Sequence, residues 1–563
     1  MPPPNMPSRR TFRCAIIGVM LLAGLWRIVI AVELPAISRD GVVFCWYARD
    51  LGRQGVAYLR APEAQQHPLF PILILGAQRG ARLLGASDSP MTWQRSGQAV
   101  CWLGGMAVVG LAGALARRLI RRLELPLDED ATVIVAMLVA ALLDLNVWLS
   151  ADVMSDQVHL VFYLAAVWLL LKLDSVPAAL GCGLLSGLAF VTRQEGFVPV
   201  LAGVVVLGIQ GRQIAWRKQG PRVAALVCGF LVCAAPYWSA VGRFTTKKDP
   251  RDLFSKREVA ARESRVEAIQ ASAVIGGGVP CFGRLPHFHV GHGGPTLQQV
   301  PVIGPTMAKL ETVNLSWYTL LPNAFYTLLR AGRVIVPLLA LLPLLNLRKR
   351  LLAPALVGLT SCLAGHFLLT LLLLSRYGYL SPRHMLVIAA LLVPLAAMFL
   401  GRIWQLMRQR GRPWVGGLVV AVCLLPLAAY ALRVPNQKDR FLMDASRWLV
   451  AHDPDLASKR LLGGSSTRRI AFYADMRWEG WSEDQTDYDG LCGQIRAAGA
   501  GYFAIELAAR GATANQFERA GNRELVDKLL ADAQTTPYLK FVHLQPGPDA
   551  GELHLFELQP GAP

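Results

Sequence analysis

The chain has 563 residues, is 53% hydrophobic and has a mean hydropathy of +0.38, whereas a soluble protein of this length would be more polar. Its formal charge of +19 sits mostly in short basic clusters between apolar runs, which signals membrane topology and argues against a nucleic-acid partner. The ten cysteines show no CxxC pair and no zinc spacing, and most lie inside apolar runs, where small buried thiols are expected.

Residues 1–11 are Pro-rich and read as a disordered cytoplasmic N-terminus, with Arg9, Arg10 and Arg13 flanking an uncleaved first span. Apolar runs approaching the roughly 20 residues that a helix needs to cross a bilayer recur along the chain. They predict spans near 12–32, 97–116, 131–149, 157–172, 177–192, 196–211, 223–240, 332–347, 351–374, 384–401 and 414–432. Basic clusters follow the second span (Arg117–Arg122), the fourth (Lys172), the sixth (Arg212–Arg222), the eighth (Arg348–Arg350) and the tenth (Arg402–Arg412). With eleven spans, all of these share a side with the N-terminus, which predicts N-in, C-out.

The outer side then receives loop 33–96, the turns at 150–156, 193–196 and 376–383, loop 241–331, and the tail from 433. Residues 69–85 read as an interfacial helix, 249–271 as a polar helix, and 301–328 as a more apolar stretch on the membrane. In the tail, Phe441, Leu442, Ala445, Trp448 and Leu449 recur at helical spacing. Strands are predicted at Ile470–Tyr473, Tyr502–Leu507, Tyr538–Leu544 and Glu552–Leu558, with helices near 488–499 and 521–533. Residues 433–563 thus read as a small extracytoplasmic α/β domain.

Asp40 opens the first outer loop. A carboxylate there can serve as a general base if an acceptor proton comes within hydrogen-bond reach, or it can cap the helix-like Val42–Ala48. Asp152 and Asp156 lie in the turn between spans three and four. Either could orient an acceptor or bind a metal, and Asp156 is also placed to cap the next helix. Asp144, inside span three, is expected to face the protein interior. Arg193 can hold a phosphate with its planar fork, or simply pair with Glu195. Arg376, Tyr377 and Arg383 between spans nine and ten suit a phosphate-bearing ligand, or anchor the chain at the interface. His287, His289 and His292 invite a metal reading, weighed against a flexible Gly/His loop.

Several stretches together resemble the bacterial family-39 glycosyltransferases, similar to protein O-mannosyltransferases and lipid A aminoarabinose transferases, within the GT-C superfamily. They are Asp40 just after the first span, Tyr47-Ala48, the stretch His67 to Pro71, the stretch Gly187 to Gly196, and Arg376-Tyr377 through Pro382. The resemblance covers roughly residues 12–432 and implies a GT-C transmembrane catalytic domain. It also implies a polyprenyl-phosphate-sugar donor, transfer on the outer side of the bacterial inner membrane, and inversion at the anomeric carbon. Asp40 then stands at the position of the catalytic aspartate, taking a proton from the hydroxyl of a lipid, glycan or protein acceptor. Arg376, Arg383 and Arg193 become donor-phosphate ligands. Arg39, Tyr47, His67, Glu195, Tyr377 and an acid from Asp152 or Asp156 shape the substrate site. Where many members carry an Asp-Glu pair, this chain has Asp40-Gly41. No cofactor is assigned, and a divalent metal is left open. The alternative is a transporter or flippase for a lipid-linked glycan, although the halves show no internal repeat.

Overall fold

The computed structural model describes residues 9–61, 64, 66–211, 216–242, 244, 317–350, 352–377, 380–433, 439–481, 493–494, 499–507, 522–535, 539–547 and 552–558. The protein is a mainly helical polytopic membrane protein with a small C-terminal sheet domain. The membrane part begins with α1 (Arg9–Glu33), α2 (Arg39–Gln54), α3 (Leu69–Leu83), α4 (Pro90–Arg122), α5 (Glu129–Leu142) and α6 (Asp144–Ala151). It continues with α7 (Ser155–Leu170), α8 (Val176–Thr192), α9 (Val198–Gly211), α10 (Trp216–Val241), α11 (Trp317–Ala331) and α12 (Ile335–Asn346). Its last helices are α13 (Pro354–Tyr377), α14 (Leu386–Gln409) and α15 (Pro413–Ala431).

Local chemistry sets many of these boundaries. Ser38, Ser89 and Ser175 accept from backbone N–H groups in the first turns of α2, α4 and α8, satisfying donors that a helix start leaves open. Prolines stand in the first turns of α4 and α8, where no N–H is needed. Among the described residues, seven helices are long and apolar enough to cross a membrane, two further helix pairs qualify as bent spans, and α7 and α8 are shorter apolar helices. Each of these eleven segments overlaps one of the predicted runs.

Two spans are broken rather than straight. The third bends by 58° at Leu143, between α5 and α6. The eighth starts well before the predicted 332, because α11 and α12 form one pair bent by 107°. Arg333 and Val334 adopt positive φ at that corner, which is unusual for residues with a Cβ and rarest for a β-branched one. The guanidinium of Arg333 pairs with buried Asp144 and lies 4.0 Å from the Tyr430 ring centroid. One ion pair therefore ties the two breaks together, in keeping with the rule that acids at membrane depth face the protein interior. At the centre runs α14, buried along its apolar length from Leu386 to Met398 and packed against α4, α5, α12 and α15.

The tail adds α16 (Arg440–His452), β1 (Arg460–Gly463), α17 (Arg468–Tyr473), β2 (Arg477–Gly480), β3 (Tyr502–Leu507), α18 (Asn522–Thr535), β4 (Leu539–Pro546) and β5 (Glu552–Leu558). The sheet order is β2-β1-β3-β5-β4, with β1 parallel to β2 and β3, and β5 antiparallel to β3 and β4. Every residue of β3 is buried, as expected where both sheet faces are covered. Leu442, Ala445 and Leu449 of α16 share a core with Leu461, Tyr502 and Leu555. Val526 and Leu529 of α18 cover Leu462, Phe503 and Phe556. The strand predicted at Ile470–Tyr473 is instead part of α17, because a short apolar run does not reveal its period. The strands Arg460–Gly463 and Arg477–Gly480 were not foreseen. The helices predicted at 249–271 and 488–499 lie outside the described residues, apart from 493, 494 and 499.

Candidate active site

The side chain of Ser38, not of Asp40, caps α2, accepting from the Gly41 N–H at 3.1 Å. Asp40 is thereby spared cap duty. It stands in the first turn of α2 with its side chain 45% exposed, and its Oδ2 accepts from Arg383 Nη1 at 2.6 Å. Arg383 is held by a 3-10 turn, Pro382–Met385, that leads into α14. Ser381 and His384 close that turn reciprocally, each side chain bonding to the other's backbone N–H. A rigid turn at the head of the central helix thus aims a guanidinium at a carboxylate 343 residues earlier in the chain.

Behind this pair lies a second one. Asp156, in the first turn of α7, accepts from Arg193 Nη1 at 2.9 Å, and Glu195 Oε1 accepts from Arg193 Nη2 at 3.2 Å. Asp156 is almost fully buried and its Oδ2 meets no hydrogen-bond donor among the described residues. Arg193 is also coupled electrostatically to Asp40, and Arg383 to Asp156. Asp40, Arg383, Arg193, Asp156 and Glu195 therefore form one cluster of alternating charge. A planar fork flanked by carboxylates can exchange one of them for a phosphate.

Asp152 belongs to the scaffold of this cluster. Its Oδ1 accepts from the N–H of Ser38 at 3.0 Å and of Val153 at 2.7 Å, so it fixes the entry to α2. Burial pushes its carboxyl above the usual range; the two N–H groups oppose that shift and the charge of Asp40 reinforces it. Gly41 shows why no second acid follows Asp40. A Cβ there would lie 3.1 Å from the Val153 carbonyl oxygen and 3.2 Å from the Val153 Cβ. The missing side chain lets α2 pack directly on the turn that carries Asp152.

The remaining predicted residues are dispersed. Arg39 Nη1 donates to Ser465 Oγ of the C-terminal domain at 2.6 Å. Tyr47 is buried edge-to-face on Tyr58, 5.1 Å between centroids, among Leu51, Leu59 and Ala64. His67 is buried against Phe190 and Tyr237. Both have the packing of structural aromatics. The side chains of Arg376 and Tyr377 lie outside the described residues, as do His287, His289 and His292. Among the described residues, no group of three His, Cys, Asp or Glu is placed to hold a metal ion. Sequence reasoning missed His384 as the partner of Ser381, and also the buried row of His159, Tyr163 and His366 beneath the site. Their only signal was polarity within apolar runs.

The C-terminal domain packs on α2. Tyr473 Oη donates to Gln94 Oε1 at 2.7 Å and accepts from the Ile37 N–H at 2.9 Å. Arg49 Nη1 pairs with Asp475 at 2.5 Å, and Arg468 of α17 is electrostatically coupled to Asp40 and Arg39.

No family model and no curated protein sequence matches the chain. Solved structures do. The oligosaccharyltransferase of Archaeoglobus fulgidus in the apo form matches with a TM-score of 0.55 at 11% identity, over 87% of this chain and 69% of that one. ArnT from Cupriavidus metallidurans matches in the apo state with a TM-score of 0.53 at 14% identity, over 98% of both chains. The same protein bound to undecaprenyl phosphate matches with a TM-score of 0.51 at 14% identity, over 97% of this chain and 98% of that one. Over nearly its whole length, the chain shares the fold of these structures.

Proposed function

We propose that the protein is an integral membrane glycosyltransferase that moves a sugar from a polyprenyl-phosphate donor to a hydroxyl acceptor, with inversion. The observation that carries the reading is the 2.6 Å contact between Asp40 and Arg383, backed by the Asp156–Arg193–Glu195 group. Donor phosphate would draw Arg383 away from Asp40, leaving Asp40 as a half-exposed base beside the reacting centre. The acceptor oxygen attacks the anomeric carbon, the carbon–oxygen bond to phosphate breaks, and the acceptor proton passes to Asp40. Polyprenyl phosphate leaves with its charge on Arg383 and Arg193. The bound undecaprenyl phosphate of the similar ArnT structure supports this donor class. By the placement of basic clusters, the site faces the outer side of the inner membrane.

The test is release of polyprenyl phosphate from a set of synthetic polyprenyl-phosphate sugars added to membrane extract. Wild type should release it, and Asp40→Asn should do so about 10²- to 10⁴-fold more slowly. Equal rates would move the base to Asp156. No turnover of any donor by wild type would overturn the transferase reading in favour of a transporter of lipid-linked glycans.

A further inference from the structure

At the end of the bundle opposite Asp40, α1, α4, α5 and α7 surround a cavity of about 530 Å³, the size of a ligand site rather than of a packing defect. Its inner wall is apolar, formed by Ile16 and Met20 of α1, Val133 and Met137 of α5, and Gly110 of α4. Its mouth is basic, with Arg117, Arg118, Arg121 and Arg122 at the end of α4 and Lys172 just beyond α7. Three of these cations are already matched. Arg117 pairs with Glu129 at 2.8 Å and Asp130 at 2.9 Å, Arg121 pairs with Glu129 at 2.7 Å, and Arg122 pairs with Asp174 at 2.9 Å. Arg118 is held differently. Its guanidinium lies 3.5 Å from the Trp168 ring centroid and donates to the Trp168 carbonyl. No ion pair among the described residues includes Arg118 or Lys172. The mouth therefore keeps an excess of positive charge directly above an apolar hollow.

We infer that this cavity seats one anionic membrane lipid, with an acyl chain against Gly110, Ile16 and Met137 and its phosphate on Arg118 and Lys172. Stacking on Trp168 fixes the plane of the Arg118 fork, which matches phosphate oxygens better than a freely rotating cation would. A zwitterionic lipid would bring its own cation to an already basic mouth. The site is separate from the transfer chemistry and does not depend on it.

Native mass spectrometry of the purified full chain can test this, by titration with phosphatidylglycerol, phosphatidylcholine and glycerol phosphate. The first phosphatidylglycerol should bind about tenfold more tightly than phosphatidylcholine, whose phosphate can make the same contact but whose choline cation meets the excess positive charge of the mouth. Arg118→Gln/Lys172→Gln should abolish that preference. Gly110→Leu should weaken both lipids without lowering the melting temperature, since a Cβ added at Gly110 meets nothing within 4 Å. Glycerol phosphate alone should not displace the lipid. Equal binding of the two lipids, a preserved preference in the double variant, unchanged binding in Gly110→Leu, or displacement by glycerol phosphate would each overturn the proposal.

Discussion

At the contact between Asp40 and Arg383, exposure decides what each substitution does. The side chains are 45% and 33% exposed, so the pair adds little to stability, about 0–1 kcal/mol for such ion pairs. Its removal should register in kinetics instead. Arg383→Gln should raise the donor KM about 10- to 100-fold, as for loss of a charge-assisted hydrogen bond to phosphate, and leave the melting temperature unchanged. Arg383→Lys should recover only part of this, because an ammonium cannot reproduce a fork. Steady-state kinetics over a donor series decides it. Asp152 is the reverse case, with its Oδ1 engaged by two backbone N–H groups at the entry to α2. Its folded-state carboxyl titrates higher than in the unfolded chain. Its neutral form therefore favours folding below the ordinary aspartate range, and that contribution is lost as pH rises through the raised value. Asp152→Asn stays neutral and keeps an oxygen for Ser38 and Val153. It should melt higher than wild type at pH 7, with the gap closing as pH falls towards 4. Thermal unfolding across that range measures it.

Elements explain what could and could not be read from the sequence. The spans were legible because apolar runs of bilayer length carry their own signal, and Glu552–Leu558 emerged residue for residue. The role of Asp40 as a cap or a base was not legible. A serine two residues earlier takes the cap and leaves the carboxylate of Asp40 to Arg383, and only the backbone shows which side chain reaches Gly41. Asp156 could not be separated from Asp152 by sequence, since both stand in the same turn. Only the position of Arg193, 37 residues further on, puts one in the charged cluster and the other under α2. For Tyr47 and His67 the sequence could not foretell burial among other aromatic rings, because a buried aromatic and an exposed one have the same composition. The bend at 332–334 was invisible, because residues with a Cβ give no warning of positive φ. Gly41 did announce itself as a departure, and its close approach to Val153 turns that departure into an expectation. Gly41→Ala should cost about 1–3 kcal/mol, the range for forcing extra atoms into a packed site. Chemical or thermal unfolding in detergent measures that, and a melting point equal to wild type would contradict the packing.

Across the whole molecule, the C-terminal domain is joined to the membrane part at α2, the helix that carries Asp40. Tyr473 is the half-buried element of that joint, where Arg39 and Arg49 are polar contacts at its rim. Tyr473→Phe leaves the Ile37 N–H and the Gln94 carboxamide without their partner, at a cost of about 1–3 kcal/mol. The joint should loosen before either part unfolds. Limited proteolysis should then release the C-terminal domain faster in the variant, while the membrane helices keep their far-ultraviolet circular dichroism. Equal cleavage of variant and wild type would show that the joint rests on other contacts.

The reach of these contacts also has a consequence in time. Asp40 leaves the ribosome 343 residues before Arg383, and α2 leaves it 426 residues before Ser465 and Asp475. At 5–20 residues per second, the wait for Arg383 alone is roughly 20–70 s. Towards its end Asp156, Arg193 and Glu195 are already made, yet the cluster lacks the guanidinium that pairs with Asp40. A chain truncated before Arg383 therefore carries the carboxylates of the cluster without the partner of the first of them. The cluster is completed only late in biosynthesis, when the last helices and the C-terminal domain meet a carboxylate made at the start.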